Sequence, residues 1–93
     1  MELHHRKARE IWREMRLENG IDPDSVTSSD PGHPKWSTIK YIGGYYHGLV
    51  GLYIPPDRRN DSNNAKGTFG TTEDEWDMGY WDAQGDLENG KYN

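Results

Sequence analysis

A short segment occurs twice in this chain, 35 positions apart, and it constrains the fold more than any other feature. Tyr41, Gly44, Tyr45, Gly48 and Leu52 of the first copy answer to Trp76, Gly79, Tyr80, Ala83 and Leu87 of the second, and the aromatic pair Tyr45-Tyr46 to Tyr80-Trp81. With about 3.6 residues per turn, the spacing i, i+4, i+7, i+11 puts Tyr41, Tyr45, Gly48 and Leu52 on one stripe of a helix, and Trp76, Tyr80, Ala83 and Leu87 on the matching stripe of another. Interior glycine costs a helix roughly 1 kcal/mol relative to alanine, so a segment carrying Gly43, Gly44, Gly48 and Gly51 needs tertiary contact to become helical. Small residues supply that contact by letting two backbones approach closely. The chain is therefore expected to pair these two helices through Tyr41, Gly44, Tyr45, Gly48, Trp76, Gly79, Tyr80 and Ala83.

The rest of the sequence predicts an all-α, three-helix single domain over residues 1–93. A first helix at about 3–18 has Ala8, Ile11, Trp12 and Met15 as its apolar stripe and Asn19-Gly20 as its stop. A Pro-rich loop follows, so that residues 1–36 form an N-terminal unit of helix and loop. The second helix is expected at about 37–53, capped by Ser37 or Thr38 and ended by Pro55-Pro56. It is apolar nearly all round, which places it centrally, with the third helix on its small-residue stripe and the first on the opposite side. The connection Asp57–Gly70 has no apolar periodicity and is expected to be mobile. Thr71 or Thr72 is predicted to cap a third helix at about 72–88, whose first turn carries Glu73, Asp74 and Glu75, where carboxylates favour the positive end of the dipole. Asn89-Gly90 ends that helix, and 89–93 is a short tail.

Composition narrows the function classes. Only 31% of the residues are hydrophobic, so the core is expected to be thin and to depend on four Trp and six Tyr. The absence of cysteine removes disulfides, thiolate metal sites and thiol nucleophiles. No run of about 18 apolar residues exists, and the N-terminal segment has no apolar core of a signal peptide, which predicts a cytoplasmic protein with no membrane contact. The net charge of -5 is unevenly placed: residues 71–93 hold seven acids against Lys91, whereas the first helix carries Arg6, Lys7, Arg9, Arg13 and Arg16.

Gly44-Tyr45-Tyr46-His47-Gly48-Leu49-Val50-Gly51 and Trp76-Asp77-Met78-Gly79-Tyr80-Trp81-Asp82-Ala83, joined by a linker with Pro55-Pro56, resemble the ribosome modulation factor family. That family has a Gly-Tyr-x-x-Gly-x-x-Gly helix, a Pro-containing linker and a Trp-x-x-Gly-aromatic-x-acid-Ala helix. The resemblance covers residues 41–83. It implies a small helical protein that binds the small ribosomal subunit and silences translation by promoting ribosome pairing. On that reading Arg9, Arg13, Arg58 and Arg59 contact rRNA phosphates while Tyr46 or Trp81 stacks on an unpaired base.

The charge distribution leaves a second reading open. Glu73, Asp74, Glu75, Asp77, Asp82 and Asp86 could imitate a run of phosphates and occupy a basic groove in a nucleic-acid-handling protein, as small phage inhibitors of host defence do. Catalysis is not expected: the acids lie along one helix without a recognisable partner, and His4, His5, His33 and His47 are not spaced as a metal set. No cofactor and no small-molecule substrate is implied. A thin aromatic core is compatible with a homodimer.

Overall fold

A computed structural model describes residues 2–24, 34–55 and 75–92. They form three helices: α1 (His5–Glu18), α2 (Trp36–Val50) and α3 (Glu75–Glu88). The all-α expectation holds, and no strand occurs among the described residues. The cap positions Thr71 and Thr72 and the 57–70 connection lie outside the described residues.

The small-residue stripe brings α2 and α3 together. A β-carbon on Gly44 would lie 1.9 Å from the Trp76 carbonyl oxygen, and one on Gly79 would lie 2.0 Å from that of Tyr41. Gly44 and Gly79 are repeat mates, as are Tyr41 and Trp76, so the contact reads the same with the two helices exchanged. Between these contacts and the helix ends, Gly48 faces Ala83, its own mate, so closely that a β-carbon on Gly48 would lie 2.7 Å from the Ala83 methyl. The two helices are thus related by an internal two-fold axis. Partners ascend together, Tyr41 with Asp82 and Tyr45 with Asp86, so the helices run parallel.

α1 runs antiparallel to α2. Leu3 N–H donates to the Leu49 carbonyl at 2.8 Å at one end, and Ile21 packs on Ile39 and Ile42 at the other. Ala8 and Ile11 join Tyr45, Leu49, Ala83 and Leu87 in the main core. α1 packs on the side of α2 that carries Ile39, Ile42 and Leu49, away from the Gly44–Gly48 stripe, and Tyr45 is shared by the contacts with α1 and α3. The opposite flank of α2 carries His47, half-buried against the Trp76 ring at 5.5 Å between centroids.

Three boundaries differ from the sequence reading. α2 begins at Trp36 with Lys35 as its cap and no side-chain cap bond, so neither Ser37 nor Thr38 caps it. It ends at Gly51, which adopts a left-handed conformation (φ 73°), four residues before Pro55. The αL cap lets the Leu52 and Gly51 amides return to the His47 and Gly48 carbonyls. As a result Leu52, assigned to the buried stripe, is outside the helix and 54% exposed, whereas its repeat mate Leu87 is buried. The third difference is at the start of α1, where the His4 side chain accepts from the Arg6 amide at 3.2 Å and so caps a helix that opens at His5.

Candidate nucleic-acid interface

The solvent-facing arginines of α1 share one flank. Arg6, Arg9 and Arg13, at i, i+3 and i+7, fall within about 60° of one another on the helix, and all are exposed. Glu10, Glu14 and Glu18 form the other exposed flank, with Lys7 among them. Arg16, counted with the basic surface from the sequence, is buried: its guanidinium lies 4.5 Å over the Trp12 ring and Nη1 donates to the Asp22 carbonyl at 3.2 Å. It anchors the chain leaving α1 rather than facing solvent.

On the arginine flank, Arg9, Trp12 and Tyr46 line an open cleft of about 220 Å³. Trp12 is half-buried beside Met15 over Ile39 and Ile42, which holds its ring in place. The Tyr46 hydroxyl and His5 Nδ1 are hydrogen-bonded at 2.9 Å, which fixes the other wall. Arg13, one turn beyond Arg9, pairs with Asp24 at 3.0 Å on the surface. An aromatic cleft with Arg9 at its rim and further arginines along the same helix flank can take a flat, unpaired base while the cations meet its phosphates.

Of the sequence-assigned rRNA residues, the fold brings Arg9, Arg13 and Tyr46 to one flank. It does not bring Trp81 there: that ring is 60% exposed and contacts Tyr53 and Tyr80 on the far side of the helix pair. Arg58 and Arg59 lie outside the described residues. Trp12 and His5 were not assigned to the site. The signal for Trp12 was available, since Arg9 and Trp12 are i, i+3 neighbours. The bond from His5 to a residue 41 positions away had none.

The acidic surface is used within the fold. Asp77 is 3% exposed and accepts from the Tyr53 hydroxyl at 2.7 Å, so it does not belong to an external charge face. Asp82 and Asp86 accept from the hydroxyls of Tyr41 and Tyr45, and Asp86 also meets Lys91 at 3.6 Å. Tyr45 further bonds Tyr92 at 2.6 Å. Glu75 is half-buried, and Glu73 and Asp74 lie outside the described residues. The tyrosine–carboxylate ladder is where the two-fold symmetry breaks, because Tyr41–Asp82 is the mate of the Trp76–His47 contact.

Burial first, then donation to Asp82, pushes the Tyr41 hydroxyl well above its ordinary pKa of 10.0. Tyr45 is pushed up by burial, by donation to Asp86 and by its bond with Tyr92. A group whose folded pKa is raised contributes stability that is complete below its unfolded pKa and is lost above it. The melting temperature is therefore expected to be insensitive to these two groups up to about pH 10 and to fall beyond it. Thermal melts of a Tyr41→Phe, Tyr45→Phe variant should show a lower plateau and a shallower alkaline decline; an unchanged decline would contradict the assignment.

The fold and the cleft define a small all-α domain with a close-packed glycine-based helix pair and a basic aromatic flank. Comparison with known proteins gives no matching protein family, no similar curated protein and no similar solved structure. Among the described residues no helix is long and apolar enough to cross a membrane. Among the same residues, no group of three or more His, Asp or Glu could hold a metal ion.

Proposed function

We propose that the chain is a non-catalytic regulatory protein that docks on rRNA of the small ribosomal subunit through the Arg6, Arg9 and Arg13 flank of α1, with an unpaired base seated between Trp12 and Tyr46. The observation that carries this reading is the arginine flank of α1: in a protein of net charge -5, three exposed arginines share one flank, and that flank holds the aromatic cleft. Phosphate neutralisation supplies most sequence-independent affinity, and stacking adds a preference for single-stranded elements. The resemblance of residues 41–83 to the ribosome modulation factor family points to the same partner and to control of translation.

The phosphate-mimic reading has less support, because Asp77, Asp82 and Asp86 accept hydrogen bonds from tyrosines of the same chain. Sucrose-gradient sedimentation of a bacterial lysate containing the tagged protein tests the proposal. Co-migration with small subunits, abolished by RNase, is the expected result. Protein in the top fractions alone, or RNase-insensitive capture of a nucleic-acid-binding enzyme, would overturn it.

A further inference from the structure

Gly51 turns the chain back along the helix pair, and the returning segment lays Tyr53 on the side of α2 and α3 away from α1. The Tyr53 ring sits edge-on to Trp76 at 5.4 Å and to Tyr80 at 5.1 Å, and its hydroxyl reaches the buried carboxylate of Asp77. Its ring also lies nearly parallel to Trp81 at 6.2 Å, 28° from coplanar. Trp81 is braced from beneath by Tyr80, edge-on at 4.8 Å, yet keeps 60% of its surface exposed. Met78, one turn before it, is 58% exposed. A large ring held rigidly by two others while remaining exposed has lost its conformational freedom before any partner arrives, which is the property of an interface anchor.

Charge identifies what such a surface accepts. Apart from the buried Asp77, the helix and its cap from Glu75 to Gly90 carry Glu75, Asp82, Asp86 and Glu88 and no cation, and the first cation, Lys91, is engaged with Asp86 and Tyr92. Glu88 is exposed two turns beyond Trp81 on the same stripe. A nucleic-acid strand would be repelled there. A guanidinium is attracted both by the negative field and by the face of an indole ring, and Arg stacks on Trp better than Lys does.

We propose that Trp81, with Tyr53 and Met78, is the docking surface for a basic segment of a protein partner, gripped by an arginine stacked on the outer face of Trp81. The surface is separate from the α1 cleft, so a chain bound to RNA through α1 remains able to hold a basic protein segment through α3.

The test is titration of the ¹⁵N-labelled protein with a synthetic arginine–alanine peptide, following the α3 backbone amide resonances, which every variant retains, beside the citrulline peptide of the same shape and no charge. Binding by the arginine peptide only, weakened about tenfold in Trp81→Ala and retained in Trp81→Phe, is expected. Far-UV circular dichroism of each variant separates loss of binding from loss of fold. Arg9→Glu should leave the peptide affinity unchanged, so failure of the RNA reading and failure of this one are distinguishable. Equal binding of the citrulline peptide, or no effect of Trp81→Ala, would overturn the proposal. So would loss of single-stranded RNA binding in Trp81→Ala, or a dimer in sedimentation equilibrium that Trp81→Ala dissociates, since either would give this face to another occupant.

Discussion

Gly44→Ala is expected to destabilise the protein severely, although it adds a single methyl group and replaces a poor helix former with the best one. The new carbon would lie 1.9 Å from the Trp76 carbonyl oxygen and within 2.9 Å of the Trp76 Cα. These are backbone atoms of a paired helix, so the clash is relieved only by moving α3 away from α2. Separation would open the contacts of Gly48 with Tyr80 and Ala83, which hold the pair together. Overpacking of this kind costs about 3 kcal/mol, a large share of the total for a domain this small. Gly79→Ala should behave alike, since its β-carbon would meet the Tyr41 carbonyl and the Tyr45 amide. Gly43→Ala and Gly85→Ala provide the contrast. Nothing lies within 4 Å of the place either new methyl group would take, and both glycines sit inside helices. Each is expected to stabilise the fold by about 0.8 kcal/mol through helix propensity. Urea denaturation of the four variants checks both signs at once; a destabilised Gly43→Ala with an unaffected Gly44→Ala would refute the pairing geometry.

On the proposed function, Arg9→Glu combined with Arg13→Glu is expected to weaken RNA association strongly. Each exchange removes one phosphate contact and installs a repulsive charge. At physiological salt the pair should weaken binding by about a hundredfold, and the slope of log affinity against log salt should fall by roughly two. Folding should survive, because both side chains are exposed and the Arg13–Asp24 pair is a surface ion pair worth about 1 kcal/mol or less. Tyr46→Ala should instead lower affinity with the salt slope unchanged, as loss of stacking does. Filter binding to small-subunit rRNA over a salt series separates the two signatures. Equal slopes for wild type and the double variant would remove the arginine flank from the site.

The helix pair was legible in the sequence because a backbone–backbone crossing tolerates almost no residue but glycine or alanine, and that restriction left its mark twice at one spacing. The end of α2 was harder to see. Gly51 reads equally as another stripe glycine or as a left-handed cap, and only the fold shows that its φ is positive, which takes Leu52 out of the core. The acids of α3 looked like a free charged face because each tyrosine partner lies on another segment, 24 to 41 positions away. Sequence periodicity reports which face of a helix a residue occupies, but not what it touches there. The arginine flank was half legible: spacing placed Arg9 and Arg13 together and Arg16 one turn beyond Trp12, while the burial of Arg16 also depends on the Asp22 carbonyl, which lies past the end of the helix.

The internal two-fold axis has a consequence for how many tasks one small chain can hold. Two identical helices meeting about such an axis, as in a homodimer, must expose the same residues on both flanks, so any change that improves one flank for a ligand is imposed on the other. Joining the two copies in a single chain removes that constraint. Tyr41 and Asp82 can then build a hydrogen-bonded seam on one flank while their mates Trp76 and His47 build an aromatic wall on the other. The glycine crossing stays symmetric because backbone geometry allows nothing else, and the flanks are free to diverge, giving a molecule with a front and a back.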